Sequence, residues 1–529
     1  MPVPGLSAGS RMFIAVCSSV GRPFVETIEG DRGMPVVTVV QWLLYLLLSL
    51  SLVMLFALSC NLLGLSVAFL RSRRGALRTG PERLVVTAPE DHPKVLVQLP
   101  AFNEGMLIER AIRAAALDWP RDRLAIQVLD DSTDGSEEIS RRFADELRRT
   151  GLDITVIHRR DRTGFKAGAL ANGLDRDDSP FVAIFDADFV PPADFLKRTV
   201  PILAADRGLA FVQARWEHLN AGQNLLTRAQ AVMLDAHFGV EQSVRSATGL
   251  VLPFNGTCGV WRREAIDDAG GWTADTLTED LDLSVRAHLA GWRAAYAPDV
   301  AAPGELPTTL AAWRTQQHRW NKGFAQVARK LLPAVWRSRL PALSKLALTL
   351  EVGQSLFCPL AALCLTTSLS LLWMEAGQQP LALSVLGLVA TAMGVFSATT
   401  FVTLGQVALG RRPLRAVPLS VLAAMTLTSG LILSNSRAVY EAAVGRQSPF
   451  VRTPKMGGGP ARPAIPAAAV RRAGPTGIPE IMLGACLFFT MVLHEGWYSP
   501  LLGTTILGLA VVGGALFRER WQVLRAVMP

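Results

Sequence analysis

Phe181-Val182-Ala183-Ile184-Phe185-Asp186-Ala187-Asp188-Phe189 runs five apolar residues straight into two aspartates that flank one alanine. An unbroken apolar run of this length reads as a strand buried on both faces. In extended chain, alternate side chains share a face, so Asp186 and Asp188 leave the strand end together. The same grammar repeats upstream. Lys94–Leu99 reads as a buried strand and Glu104–Leu117 as a helix. Leu124–Leu129 is a strand, Ser136–Arg149 a helix, Ile154–Ile157 a strand and Gly168–Leu174 a helix. Regular alternation of this kind predicts a parallel, doubly wound α/β sheet with helices on both faces. In such sheets the ligand sits off the carboxyl ends of the strands.

Outward from this segment the chain changes character. Of its 529 residues only 18% are charged and 50% are hydrophobic, against about 25% charged in soluble domains. Val36–Leu70 contains no Asp, Glu, Lys or Arg, and Arg71, Arg73, Arg74 and Arg78 follow at once. About 20 such residues suffice to cross a bilayer, and trailing cations mark the cytoplasmic side. Val352–Met374, Leu381–Gly410, Ala416–Ser436, Ile481–His494 and Tyr498–Phe517 are equally free of charge. Arginines and lysines follow the second, third and last of these runs, whereas 375–380 and 495–497 hold one acid each and no Lys or Arg. Both flanks of Ala416–Ser436 therefore look cytoplasmic. That segment reads as interfacial or re-entrant, with about five full crossings in all; the alternative is six simple crossings with one violation of the charge rule. The net charge of +9 lies largely beside apolar runs, so a bilayer is the expected partner and nucleic acid is not. None of the six cysteines forms a C-x-x-C pair, and no zinc or disulfide framework is readable.

Polar residues cluster at the expected strand ends. The second strand ends in Asp130-Asp131-Ser132-Thr133-Asp134-Gly135-Ser136. There Asp134 or Ser136 suits a helix cap, while Asp131 is expected to face a ligand. Asp186 and Asp188 suit a hard cation, Mg²⁺ or Mn²⁺, because Mg²⁺ binds through one or two carboxylates plus substrate phosphates. Alone, a D-x-D triplet is more often a solvated turn; the strand context is what favours the metal. Gly164-Phe165-Lys166-Ala167-Gly168 opens a helix with a cation and a flexible backbone suited to phosphate, although the Walker A spacing is absent. Thr278-Glu279-Asp280 precedes a helix, where one acid can cap and another can serve as a general base. Gln316-Gln317-His318-Arg319-Trp320 offers a guanidinium for phosphate oxygens and an indole face for a sugar ring.

Together these motifs resemble those of a processive family 2 glycosyltransferase. Five stretches are closer still to the cellulose synthase-like A group, the (gluco)mannan synthases, and its bacterial relatives. They are Val128–Asp134, Gly164–Leu170, Phe185–Phe189, Phe254-Asn255-Gly256-Thr257 and Gln316–Trp320. The resemblance implies an α/β GT-A-like doubly wound cytosolic domain joined to an α-helical multi-pass membrane domain. It implies Asp280 as catalytic base, and Asp131, Lys166, Asp186, Asp188, Gln316 and Arg319 as donor-binding residues. Trp320, Asn255, Gly256, Thr257 and Glu279 would hold the acceptor. Phe450-Val451-Arg452-Thr453-Pro454-Lys455 resembles the gating loop of bacterial cellulose synthases, with Arg452 where that pattern has valine; Phe450, Thr453 and Lys455 are its expected contacts.

The expected organisation is a disordered segment at 1–33, a transmembrane helix at 34–72 and a cytosolic catalytic domain at 80–340 ending in interfacial helices. Membrane helices follow at 345–440, a cytosolic gating-like loop at 441–478, two transmembrane helices at 479–518 and a cytosolic tail at 519–529. The expected activity is inverting transfer of a hexose from GDP-mannose or UDP-glucose to a growing β-linked polysaccharide, with export. The alternative is a non-processive enzyme making a glycolipid. Expected partners are a nucleotide-sugar donor, a polysaccharide acceptor and the lipid bilayer of the plasma membrane, with room for accessory export subunits.

Overall fold

The computed structural model describes residues 36–75, 92–374, 380–411, 417–448, 477–493 and 500–527. At its centre lie β1 (Val95–Ala101), β2 (Leu124–Asp130), β3 (Asp153–His158), β4 (Phe181–Ile184), β5 (Leu209–His218), β6 (Gly259–Arg262) and β7 (Arg293–Gly304). They form one seven-stranded sheet in the order β3-β2-β1-β4-β6-β5-β7. The first four strands pair in parallel, with the helices Leu107–Ala114, Ser136–Arg148 and Phe165–Leu174 between them. This mixed α/β sheet is of the GT-A kind.

The parallel order read from the sequence holds for β1 to β4, and one strand beyond them runs the other way. β6 runs antiparallel to both β4 and β5. Its cause is local. Residue 258, just before β6, already bonds to the end of β4, through Cys258 N–H to the Ile184 carbonyl at 2.8 Å. The chain therefore enters β6 from the carboxyl end of the sheet and can only run back down, whereas a parallel strand needs a full crossover.

Side-chain alternation builds two cores. Val95, Val97, Leu99, Ile126, Val128 and Ala183 pack one face against Ile108, Phe143 and Phe195. Leu96, Leu129, Val182 and Ile184 pack the other against Leu170, Leu174 and Leu283. Each large aliphatic buried in this way contributes roughly 1.5–3 kcal/mol. Two glutamines interrupt the apolar strands. Gln98 and Gln127 are register partners on β1 and β2. Gln98 donates to Gln127 Oε1 at 3.1 Å and to the Leu170 carbonyl at 3.1 Å, while Gln127 donates to the Gly173 carbonyl at 2.9 Å. A Cβ at Gly173 would lie 2.5 Å from Gln127 Oε1 and 2.6 Å from Gln98 Nε2, so a larger residue there would have to displace this bonded pair. That contact fixes the height of Lys166 above the sheet.

Four described helical stretches are long and apolar enough to cross a membrane: Val36–Ser72, Ala342–Trp373, Leu381–Ala408 and Leu502–Gln522. Val417–Gly430 and Ile432–Ala443 meet at a 55° bend, the geometry of a broken span or a re-entrant segment. Ile478–Leu493 is apolar but only 16 residues long. The sheet domain docks on this bundle through Leu225–Ala236 and the turn after it, whose Ala236 and Val240 pack with Leu65, Phe69, Phe401 and Val421. Close approach requires glycine here too. A Cβ on Gly405 would stand 2.5 Å from Ala236 Cα.

Candidate active site

The carboxyl ends of the strands open into a cavity of about 370 Å³. Asp131, Lys166, Asp186, Asp188, Asn255, Gly256, Glu279, Asp280, Gln316, Arg319 and Trp320 all line it. Residues from six separate stretches of sequence thus meet around one space. Thr257 does not line it. Its side chain is buried, and its hydroxyl accepts the Asp186 backbone N–H at 2.9 Å, so it supports the Asp-x-Asp turn from behind. The gating-like residues Phe450, Thr453 and Lys455 lie outside the described residues.

Lys166 sits at the centre of the charge arrangement. Its Nζ donates to Asp186 Oδ1 at 2.6 Å and to the Gly256 carbonyl at 2.8 Å, and stands 3.8 Å from Glu279 Oε1. Burial lowers the pKa of this amine, but the charges of Asp186 and Glu279 more than restore it. It therefore stays cationic. Gly256 adopts φ +79°, and a Cβ there would lie 2.8 Å from Asp280 Oδ2. The absence of a side chain at 256 is what brings the loop against the carboxylate.

Asp280 is held by its helix. The Glu279–Leu289 helix starts after Thr278, whose side chain makes no cap bond. Instead Asp280 Oδ1 accepts the Leu281 N–H at 2.9 Å. Ser284 Oγ donates to the Asp280 carbonyl at 2.6 Å and accepts the Phe254 N–H at 2.8 Å, which ties the Phe254–Thr257 loop to this helix. Burial, and then the neighbouring Glu279, push the Asp280 carboxyl up to about 7, against the pull of Lys166. A carboxylate so raised is a far better proton acceptor than an ordinary aspartate.

Gln316, Arg319 and Trp320 share one face of the Leu310–Arg337 helix, as residues three and four apart do. Four contacts set that helix. Thr309 caps it through Ala312 N–H. Glu519, from the Pro500–Val527 helix, accepts the N–H groups of Leu310 and Ala311 at 2.9 and 3.0 Å. On its flank Lys322 is buried and donates to Glu441 at 3.0 Å. Finally, Gly323 abuts Thr278 so closely that any Cβ would collide with it. Burial lowers the Arg319 pKa, partly offset by Glu279, Asp186, Asp280 and Asp188; an arginine remains charged nonetheless.

Further residues in and behind the cavity wall complete the site, most of them with no motif to announce them. Arg159 grips Asp131 with both nitrogens, at 2.9 and 2.5 Å, and holds the Phe165 carbonyl at 2.9 Å. Asp131 thus fixes the loop before Lys166 through Arg159. The run His158-Arg159-Arg160-Asp161-Arg162 at a strand end was the available signal. Arg162 lies over the Phe102 ring with its guanidinium carbon 3.3 Å from the centroid. Glu305 pairs with Arg110 at 3.3 Å at the end of β7. Asp134 accepts Ser136 N–H at 3.0 Å, so it braces the turn that opens the Ser136–Arg148 helix.

Residues 92–323 match the family model described as glycosyltransferase like family 2. Over 328 residues the chain is 41% identical to glucomannan 4-beta-mannosyltransferase 7 of Arabidopsis thaliana, covering 59% of this chain and 58% of that protein. Over 252 residues it is 47% identical to glucomannan 4-beta-mannosyltransferase 1 of Oryza sativa subsp. japonica, covering 47% of this chain and 48% of that one. The chain spans about half the length of the curated relatives it matches. Among solved structures, a mannosyltransferase from Pyrobaculum calidifontis in complex with GDP-Man and Mn2+ aligns at 23% identity and a TM-score of 0.49, covering 75% of this chain and 98% of that one.

Proposed function

We propose, from the match of residues 92–323 to the model of glycosyltransferase like family 2, that the chain is a membrane-embedded inverting hexosyltransferase. It moves mannose from GDP-mannose, or glucose from UDP-glucose, to the end of a growing β-1,4-linked mannan or glucomannan. One observation carries the reading. Asp280, the half-buried Lys166 that bonds Asp186, and the half-buried Arg319 line one cavity together with the Asp186-Ala187-Asp188 turn. Similarity to the plant glucomannan 4-beta-mannosyltransferases supports mannose as the sugar and the β-1,4 linkage.

The chemistry follows from the charges. As the bond between the anomeric carbon and the diphosphate breaks, its electron pair leaves with the diphosphate. Lys166 and Arg319 line the cavity where they can stabilise that developing charge. An acceptor hydroxyl attacks the opposite face of the sugar and passes its proton to Asp280. One displacement without a covalent intermediate turns an α-linked donor into a β-linked product. Asp186 and Asp188 fit a divalent cation of the Mg²⁺ or Mn²⁺ kind. Among the described residues no cluster of three or more His, Cys, Asp or Glu side chains could hold a metal alone, and Mg²⁺ sites of this class complete their shell with substrate phosphates. Such a cation, when bound, neutralises charge on the leaving diphosphate.

The long apolar helices support a bilayer location. The cation distribution supports a cytoplasmic catalytic domain, and our reading sets it at the plasma membrane with the product exported through the bundle. The test is a donor screen on purified protein followed by linkage analysis of the product. A 4-linked polymer from GDP-mannose or UDP-glucose is expected. Single-sugar lipid products would replace the polymer reading with glycolipid synthesis, and failure to turn over any nucleotide sugar would overturn both.

A further inference from the structure

The wall of the cavity contains a histidine, His237, that the mechanism above does not use. Leu225–Ala236 continues into one π turn, His237–Glu241, before Gln242–Thr248 resumes as α-helix. π turns inside helices occur often at functional sites. This one delivers His237 to the cavity beside Asn255.

His237 Nδ1 lies 2.9 Å from Glu241 Oε2. Arg245 holds the other oxygen of that carboxylate at 3.0 Å and also pairs with Glu351 of the Ala342–Gly353 helix. Glu241 is thus an ionised acceptor, with a pKa lowered to about 2 against the penalty of burial, chiefly by Arg245. Nδ1 therefore carries a proton in either state of the ring. The other nitrogen faces contradictory partners. Nε2 is 3.0 Å from Asn255 Oδ1, which only accepts, and 3.1 Å from Gln242 Nε2, which only donates. A single ring nitrogen cannot serve both at once. A charged ring donates to Asn255 Oδ1, and Gln242 must then turn its own Oε1, an atom buried without a partner, towards the ring. A neutral ring accepts from Gln242, and Asn255 must then turn its Nδ2 inward. Asn255 Nδ2 is likewise buried without a partner, while the Asn255 backbone is pinned by its N–H to Gln213 Oε1 at 2.9 Å. Only the carboxamide is left to rotate.

We propose that His237 is a positioning residue whose protonation sets the direction of the Asn255 carboxamide, so that the charged ring holds this amide, and with it the Phe254–Gly256 wall of the cavity, in the form that meets the acceptor, and the neutral ring releases it. The proposal rests on the glycosyltransferase reading and adds a residue to its acceptor side. The titratable and charged groups around the ring favour its charged form. Burial lowers its pKa, but the hydrogen bond and charge of Glu241, then the charge of Glu351, raise it above the ordinary histidine value. Arg245 is spent on those two acids. On the bundle side, Gly239 meets Gly405 and Ala408, and the nearby Arg411 is paired with Asp235 and Glu217.

The test measures binding of β-1,4-mannotetraose to the full-length protein, in parallel with GDP, as a function of pH. For wild type, mannotetraose should bind more tightly below the ring's raised pKa and weaken by roughly three- to tenfold above it, the worth of one hydrogen bond. GDP affinity should not follow that transition. Made in an Asp280→Asn background, so that the neighbouring carboxyl does not titrate in the same range, His237→Gln and Asn255→Ala should each abolish this transition while GDP still binds, and either variant alone suffices if the other does not fold. Persistence of the same transition in both variants would overturn the proposal. If GDP binds but wild type binds no mannotetraose at any pH, the acceptor assignment itself fails, a different result from loss of pH dependence alone.

Discussion

Asp280, Gly256 and Lys166 carry the account at the scale of single residues. Asp280→Asn removes the proton acceptor and should lower transfer by about 10²–10⁴-fold, with nucleotide binding retained in an isothermal titration. In wild type the carboxyl must be ionised to work, so kcat should rise with pH through about 7. Stability runs the other way. The folded pKa lies above the unfolded value of 3.8, so the folded state binds more protons between the two values, and its stability falls as pH rises through that window. Asp280→Asn should therefore melt at a higher temperature than wild type at pH 8, a difference that shrinks below pH 4. Gly256→Ala meets both a positive φ and the Asp280 carboxylate. It should lose most transfer activity while its GDP affinity changes little. Their meeting in one cavity was legible in the sequence because Asp280 and Lys166 stand in motifs at the starts of helices and Gly256 in a stretch that resembles the family's. Arg159 and His237 were not, since their partners are set by tertiary approach alone: Arg159 finds Asp131 across a crossover, and His237 finds Asn255 across a loop.

At the scale of elements, the site is positioned by contacts that admit no side chain or no alternative partner. Gly323 lets the Leu310–Arg337 helix lean on Thr278, which fixes Arg319 and Trp320 opposite Glu279 and Asp280. Gly323→Leu should lower kcat more than it lowers melting temperature, because the helix can tilt away and still pack. Glu519 holds the first N–H groups of that helix. Glu519→Ala should cost about 1 kcal/mol, the usual worth of a lost cap, read by chemical denaturation in detergent. The strands and helices up to β4 were readable from apolar runs and turn residues. The antiparallel β6 was not. It is four residues long, too short for period to separate direction, and its direction follows from the Phe254–Thr257 loop rather than from its own composition.

Across the whole molecule, buried ion pairs join the cavity to the apolar helices. Arg245 bonds Glu241 beside the cavity and Glu351 in the Ala342–Trp373 stretch. Breaking such a pair strands a buried charge and typically costs about 3–5 kcal/mol, so Arg245→Met should reduce the yield of folded protein and depress its melting temperature. The apolar runs announced a membrane protein from sequence. Which helices meet the sheet domain was beyond reach, because Gly405 against Ala236 and Arg411 against Asp235 and Glu217 are contacts between distant segments of chain. The central claim is that this cavity performs a single displacement at an anomeric carbon, with Asp280 as base. Its most direct measurement is the anomeric configuration of the first product, read by proton NMR after wild type is given GDP-mannose and a short β-1,4-manno-oligosaccharide. A β-linked addition that disappears in Asp280→Asn is predicted; an α-linked addition, or the same β-linked addition at an undiminished rate in that variant, would contradict it.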